Sequence, residues 1–209
     1  VNLVDSGGVP QMQVGLDPKA LRETLSELKV LVDRNPKEPR FVFNEGTGQI
    51  EPIAASAIGR VMDVEASIVA INGALQRGEH SVNLVVAEQQ PAVTDQATGV
   101  ELGVVQLVAE QTTYFYGSSE ARIQNIVTAA GQYHGLLVAP GQTFSMGSVL
   151  GDVSLENGYA EALIIYGGRT IKGVGGGVCQ VSTTLFRTVF FAGFPVMERY
   201  SHAYRVPYY

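Results

Sequence analysis

The residues most capable of chemistry lie in one stretch, Gly173-Val174-Gly175-Gly176-Gly177-Val178-Cys179-Gln180-Val181-Ser182-Thr183-Thr184-Leu185-Phe186. Three consecutive glycines cannot sit in a helix. By contrast, residues 179–192 hold neither Gly nor Pro and place Val181, Leu185, Thr188, Val189 and Ala192 along one helical face. The spacing predicts a helix that starts at or next to the cysteine, with Phe186, Phe190 and Phe191 making its later turns apolar on most sides. A thiol at that position sits beside unpaired backbone N–H groups and the positive end of the helix dipole, and both favour the thiolate. Cys179 is the single cysteine, so an intrachain disulfide and a multi-thiolate metal site are excluded.

A strand predicted over residues 196–206 carries His202, one of three histidines. Cysteine at the start of a central buried helix, with histidine on a following strand, is the layout of papain-like and transglutaminase-like cysteine enzymes. It makes Cys179 a candidate nucleophile and His202 its candidate base. The competing reading is structural. Cysteine is among the most buried residue types, a glycine run can serve only close backbone packing, and His202 lies among Tyr200, Tyr204, Tyr208 and Tyr209.

Other chemistries fall away. The glycine run lacks the Gly-Lys-Ser/Thr ending of a phosphate loop and does not follow a strand in a βαβ unit. His80, His134 and His202 are scattered with no His-Glu-x-x-His, so no metal site is predicted, and no cofactor is implied. Ser145 lacks the Gly-x-Ser-x-Gly frame of a hydrolase elbow and reads as a turn residue.

At 45% hydrophobic and 16% charged residues in 209, the chain is too apolar to be disordered. A net charge of −6 argues against nucleic acid as a partner. The charge is uneven, with 13 acidic and 8 basic residues up to position 99 and 7 and 6 after it, so the two halves differ in character. No apolar run of eighteen residues and no basic leader followed by an apolar core are present, so any membrane anchor is expected outside this chain.

The elements that must position the cysteine follow an α+β pattern. Leu21, Leu25, Leu28 and Val32 recur at helical spacing, with Asp17 placed to cap and Pro18 suited to the first position. Residues 40–44 and 49–53 read as strands about a Gly46-Thr47-Gly48 turn, Asp63 opens a second helix, and Val82, Leu84 and Val86 alternate as in a half-buried strand. A polar run over residues 92–103 suits a connector. Beyond it come a β-rich segment over residues 104–116, a helix capped by Ser118 or Ser119, a short strand over 136–138, and strands turning at Gly167-Gly168. The predicted organisation is an N-terminal extension (1–13), a first domain (14–92), a linker (93–103) and a second domain (104–209). In the second domain a mixed β-sheet packs on a central buried helix in a papain- or transglutaminase-like manner.

The second domain resembles the VanW family of cell-surface proteins. The resemblance is carried by Thr113-Tyr114-Phe115 with Gly117-Ser118, Arg122 with Asn125-Ile126, Pro140-Gly141-Gln142-Thr143-Phe144-Ser145, Gly158-Tyr159, the segment 175–185, Ala192-Gly193, Glu198-Arg199 and Ser201-His202. The first domain resembles, less sharply, the peptidoglycan-binding domain that often precedes VanW, through Pro39-Arg40-Phe41, the Gly59 and Asp63 segment and residues 82–91. The resemblance implies an extracellular, cell-envelope location and a link to peptidoglycan, and supplies no established reaction. Family members continue past the last strand into a Gly-x-Asp-Ala segment, where a third catalytic residue is expected; this chain stops at Tyr209.

Two readings of function stand. In one, a secreted envelope protein binds peptidoglycan or its peptide stems and acts as a cysteine amidase or transpeptidase. Cys179 and His202 are then catalytic, and Gly175, Gly176, Gly177, Gln180, Ser182 and Arg199 form the substrate-binding frame. In the other, it is a non-catalytic structural or assembly module that self-associates through strand edges such as residues 104–116.

Overall fold

The structure is a computed structural model that describes residues 15–203 and the backbone of residues 2–6 and 9–13. Its first half holds β1 (Asn2–Ser6), β2 (Val9–Gln13), α1 (Pro18–Val32), β3 (Arg40–Asn44), β4 (Gln49–Ala54), β5 (Gly59–Met62), α2 (Val64–Gln76) and β6 (Val86–Gln89). After these come α3 (Gly99–Leu102), α4 (Glu120–Tyr133), α5 (Met146–Leu150), β7 (Glu161–Tyr166), β8 (Arg169–Val174) and α6 (Val178–Phe191). The chain falls into two compact units, Val1–Pro39 with Ala54–Gln96, and Arg40–Ile53 with Ala97–Tyr209.

In the first unit both helices begin where their caps predict. Asp17 accepts from the Lys19 N–H with Pro18 as the first helical residue, and Asp63 accepts from the Ala66 N–H. Helix α1 turns Leu25 inward against Met62 and Ile68, with Leu21, Val32, Val64, Ile71 and Leu84 packed around them. Burying each such side chain stabilises by about 1.5–3 kcal/mol. Polar groups beside the core are matched: the buried Ser67 hydroxyl accepts the Val85 N–H at 2.9 Å, and the partly exposed Asp33 carboxylate accepts the Met62 N–H at 2.8 Å. The antiparallel β5–β6 pair runs over Val86–Gln89 rather than over the predicted Val82–Val86 alternation, so its register begins at Met62↔Val86.

In the second unit, hairpin β3–β4 docks on the end of α4. The Phe41 N–H donates to the Gly135 carbonyl at 3.1 Å, and Arg40 Nη1 donates to the Gly131 and His134 carbonyls at 2.9 and 3.1 Å. Ser119 caps α4, whose buried residues are Asn125, Ile126 and Ala129. Strands β7 and β8 pair antiparallel and turn at Gly167 and Gly168, whose φ angles of 57° and 76° suit a tight two-residue hairpin.

Three expectations for this unit are corrected. Its sheets are two-stranded antiparallel hairpins closed by local turns, in place of a mixed sheet. Helix α6 is not a buried central helix: Gln180 is its one buried residue, and Phe190 and Phe191 are exposed by 56% and 64%. Residues 104–116 and 136–138 lie outside the strands, because their β-type residues meet no partner strand among the described residues. Residues 196–203 likewise form no strand among the described residues; the remainder of that predicted strand, with Tyr204, Tyr208 and Tyr209, lies outside the described residues.

Candidate functional site

The glycine run owes its composition to its neighbours. Gly176 is buried, and a Cβ there would strike the Leu163 carbonyl oxygen and lie 2.9 Å from the Ala162 Cβ. At Gly177, φ is 115°, and a Cβ would meet Arg122 Cγ and O at 3.0 Å and Ile126 Cγ1 at 3.1 Å. Only glycine combines that backbone conformation with so close an approach to α4. The run therefore wedges between β7 and α4 and leads directly into the first turn of α6. Gly177 is the residue before that helix, and the Gln180 N–H donates to its carbonyl at 3.0 Å.

Two buried amides hold this junction. Asn125, fully buried on α4, donates from Nδ2 to the Ala160 and Gly176 carbonyls, both at 2.9 Å, and accepts the Ala160 N–H at 2.7 Å. Gln180, 1% exposed on α6, accepts from Arg122 Nη2 at 2.7 Å. Its Nε2 donates to the Tyr114 carbonyl at 2.8 Å and to Thr113 Oγ1 at 3.2 Å. The Thr113 and Thr184 hydroxyls share a 2.6 Å hydrogen bond, and Arg122 Nη1 donates to Ser118 Oγ at 2.6 Å. A charge-assisted bond from a guanidinium to a buried amide is stronger than a neutral pair, so the segment 113–118, α4 and α6 are tied at one point.

Cys179 lies on the surface of this frame, exposed in the first turn of α6, with its carbonyl accepting from Thr183 Oγ1 at 2.8 Å. Its sulfur is free. Ser182 is half-buried one turn along. Arg199 sits with its guanidinium carbon 5.2 Å from the centre of the Phe186 ring, a cation–π contact at the far end of the helix. His202 is exposed in the irregular segment that follows α6. Of the residues singled out in the sequence, the structure brings Gly176, Gly177 and Gln180 into one hydrogen-bonded frame beneath Cys179. Arg122, Asn125, Thr113 and Thr184, which no chemical role had marked out, complete that frame. For Asn125 the signal was a polar residue beside an apolar one on a buried helix face, as in Asn125-Ile126.

A shallow open groove of about 260 Å³ lies between α4 and α6, lined by Ala130, Tyr133, His134, Val181, Thr184, Leu185 and Thr188. Its lining includes neither Cys179 nor His202. Near it, Tyr133 donates to the Met146 carbonyl at 3.1 Å and meets Phe144 edge-on, and burial pushes its phenol up to about 12. Among the described residues no cluster of three or more His, Cys, Asp or Glu could hold a metal ion, and no helix is long and apolar enough to cross a membrane.

Residues 121–209 match the family model described as VanW like protein, so the C-terminal region is that of a VanW-family domain. Over 103 residues the chain is 43% identical to the uncharacterized protein YoaR of Bacillus subtilis (strain 168), covering 49% of this chain and 34% of that protein. Over 83 residues it is 30% identical to the vancomycin B-type resistance protein VanW of Enterococcus faecalis (strain ATCC 700802 / V583), covering 40% of this chain and 30% of that protein. The matches thus span about a third of the length of these curated relatives. No solved structure matches the chain.

Proposed function

We propose that this chain is a cell-envelope protein that binds peptidoglycan through its peptide stems. The observation that carries this reading is the VanW-like match over residues 121–209, which contains Arg122, Asn125, the glycine run and α6. One relative is named as a vancomycin B-type resistance protein, and that name supports an envelope reading for the shared region. The first unit, with its separate core, supplies a second wall-binding surface in this reading.

A finer reading, favoured by the exposure of Cys179 on the first turn of a 14-residue helix, is cysteine-dependent acyl transfer. The Cys179 thiolate adds to a stem-peptide carbonyl, and the Cys179 backbone N–H lies at the helix start to face the oxyanion. The C–N bond breaks as the amine leaves with a proton from His202. Water or a second stem amine then cleaves the thioester, returning the proton to His202 and freeing the thiolate. Arg199, Ser182 and Gly175–Gly177 form the surrounding contact surface.

The test is incubation of the chain and its Cys179→Ala variant with whole sacculi and with purified muropeptides, read by sedimentation and mass spectrometry. Product formed by the wild type and lost in the variant supports acyl transfer. Retention on sacculi by both, with no product, supports recognition alone. Failure of the wild type to sediment with sacculi or to change the muropeptides overturns the proposal and leaves a self-associating structural module.

A further inference from the structure

Residues 109–116 belong to the irregular stretch before α4, ending in a turn at Tyr116 and Gly117 closed by the Ser118 N–H on the Phe115 carbonyl, and their burial alternates strictly. Ala109, Gln111, Thr113 and Phe115 are half-buried, whereas Glu110, Thr112, Tyr114 and Tyr116 face outward. The segment belongs to no sheet, yet it is anchored from beneath, since the Tyr114 carbonyl and the Thr113 hydroxyl both accept from the buried Gln180 amide. Tyr114, on the anchored backbone, and Tyr116, at the start of the turn, bring their side chains together on the outer surface. Their rings stack with centres 5.4 Å apart and planes within 9°, while remaining 59% and 85% exposed.

Two large rings in water forgo most of the stabilisation that burial would give them. Stacking recovers part of it and holds each ring in one orientation, so Tyr114 backs one face of Tyr116 and leaves the other free. A flat, electron-rich ring face held ready in this way attracts the positively polarised C–H groups of a pyranose, and the phenol hydroxyls stay available to sugar hydroxyls. Because the rings are already ordered, little side-chain entropy remains to be lost on binding. Each aromatic ring buries roughly 150–250 Å² at most, well short of the about 800 Å² per partner of a stable protein interface. The acidic chain disfavours nucleobases as the stacked ligand.

We infer that Tyr114 and Tyr116 form a stacking platform for the sugar rings of the glycan strand, one residue removed from the Cys179 turn through the Gln180 tie. This rests on the envelope reading above and adds to it a second recognition chemistry, sugar beside peptide stem.

The experiment is titration of the whole chain with peptide-free glycan strands, in parallel with free stem peptides, followed by NMR and calorimetry. Saturable binding of the strands is expected. Tyr116→Ala weakens it by about tenfold, and Tyr116→Phe, which keeps the ring, changes it by less than about twofold. Tyr166→Ala, removing an exposed tyrosine on the β7–β8 hairpin, leaves it unchanged. Absence of strand binding, equal binding by Tyr116→Ala, or an equal loss in Tyr166→Ala overturns the platform. Binding of stem peptides alone does the same while leaving the envelope reading intact, whereas loss of that reading shows as failure of the wild type to sediment with sacculi.

Discussion

Arg122 on α4 and Gln180 on α6, 58 positions apart, meet through a 2.7 Å hydrogen bond from Nη2 to the amide oxygen. The amide is sealed from solvent and its nitrogen serves Thr113 and Tyr114, so removing it takes one hydrogen bond each from the Arg122 guanidinium and the Thr113 hydroxyl and leaves the Tyr114 carbonyl without its amide donor. Gln180→Ala is expected to destabilise the second unit by about 2–4 kcal/mol, read as a lower urea midpoint. An unchanged midpoint would show that the junction does not depend on this residue.

Asn125 makes a sharper case, because an isosteric replacement changes only its donors. In Asn125→Asp the atom facing the Ala160 and Gly176 carbonyls becomes an acceptor, and two hydrogen bonds turn into repulsions. A loss of about 2–3 kcal/mol is expected at neutral pH. Partial recovery on acidification, as the carboxyl regains a proton, is the accompanying signature in a pH series of denaturation curves.

Glycine to alanine should act with opposite signs at two positions. Gly176→Ala drives a methyl into the Leu163 carbonyl and Ala162, an overpacking expected to destabilise by about 1–3 kcal/mol. Gly131→Ala, on α4 with open space around the would-be Cβ, should stabilise by roughly 0.5–1 kcal/mol. Thermal melts of the two variants check the pair, and a shift of both in one direction contradicts it.

Tyr133 predicts behaviour in alkali. Its phenol titrates near 10.0 when unfolded and at about 12 when folded, chiefly because burial disfavours the phenolate and secondarily because of Tyr159. The folded state then holds a proton that the unfolded state releases, so its contribution is fully present below pH 10.0 and is lost as pH rises towards about 12. Denaturation curves across this window should fall more steeply for the wild type than for Tyr133→Phe. Parallel curves would place the phenol in solvent.

Helix starts were legible because a cap and a first-turn residue stand side by side in the sequence: Asp17-Pro18, Asp63 and Ser119 each begin a helix in the structure. The Gly167-Gly168 hairpin was legible for the same local reason. Residues 104–116 misled because β-type alternation reports which way side chains face, and that part survives at 109–116, but it carries nothing about a partner strand. The helix after Cys179 was placed correctly, yet its burial was overestimated, since three phenylalanines state an apolar surface without stating what covers it. Gln180 and the glycines drew attention as neighbours of a thiol. Their contacts, with residues of α4 and β7 far away in sequence, could not be read from spacing.

The longest ties at this junction join positions 51 to 71 apart, from Asn125–Gly176 to Thr113–Thr184. A chain growing on the ribosome therefore emerges with the Thr113 to Tyr133 stretch in place and its amide partners still unsynthesised. Assembly of the second unit must wait for translation to pass Thr184, while the Leu25, Met62 and Ile68 nucleus, complete much earlier, is free to form first.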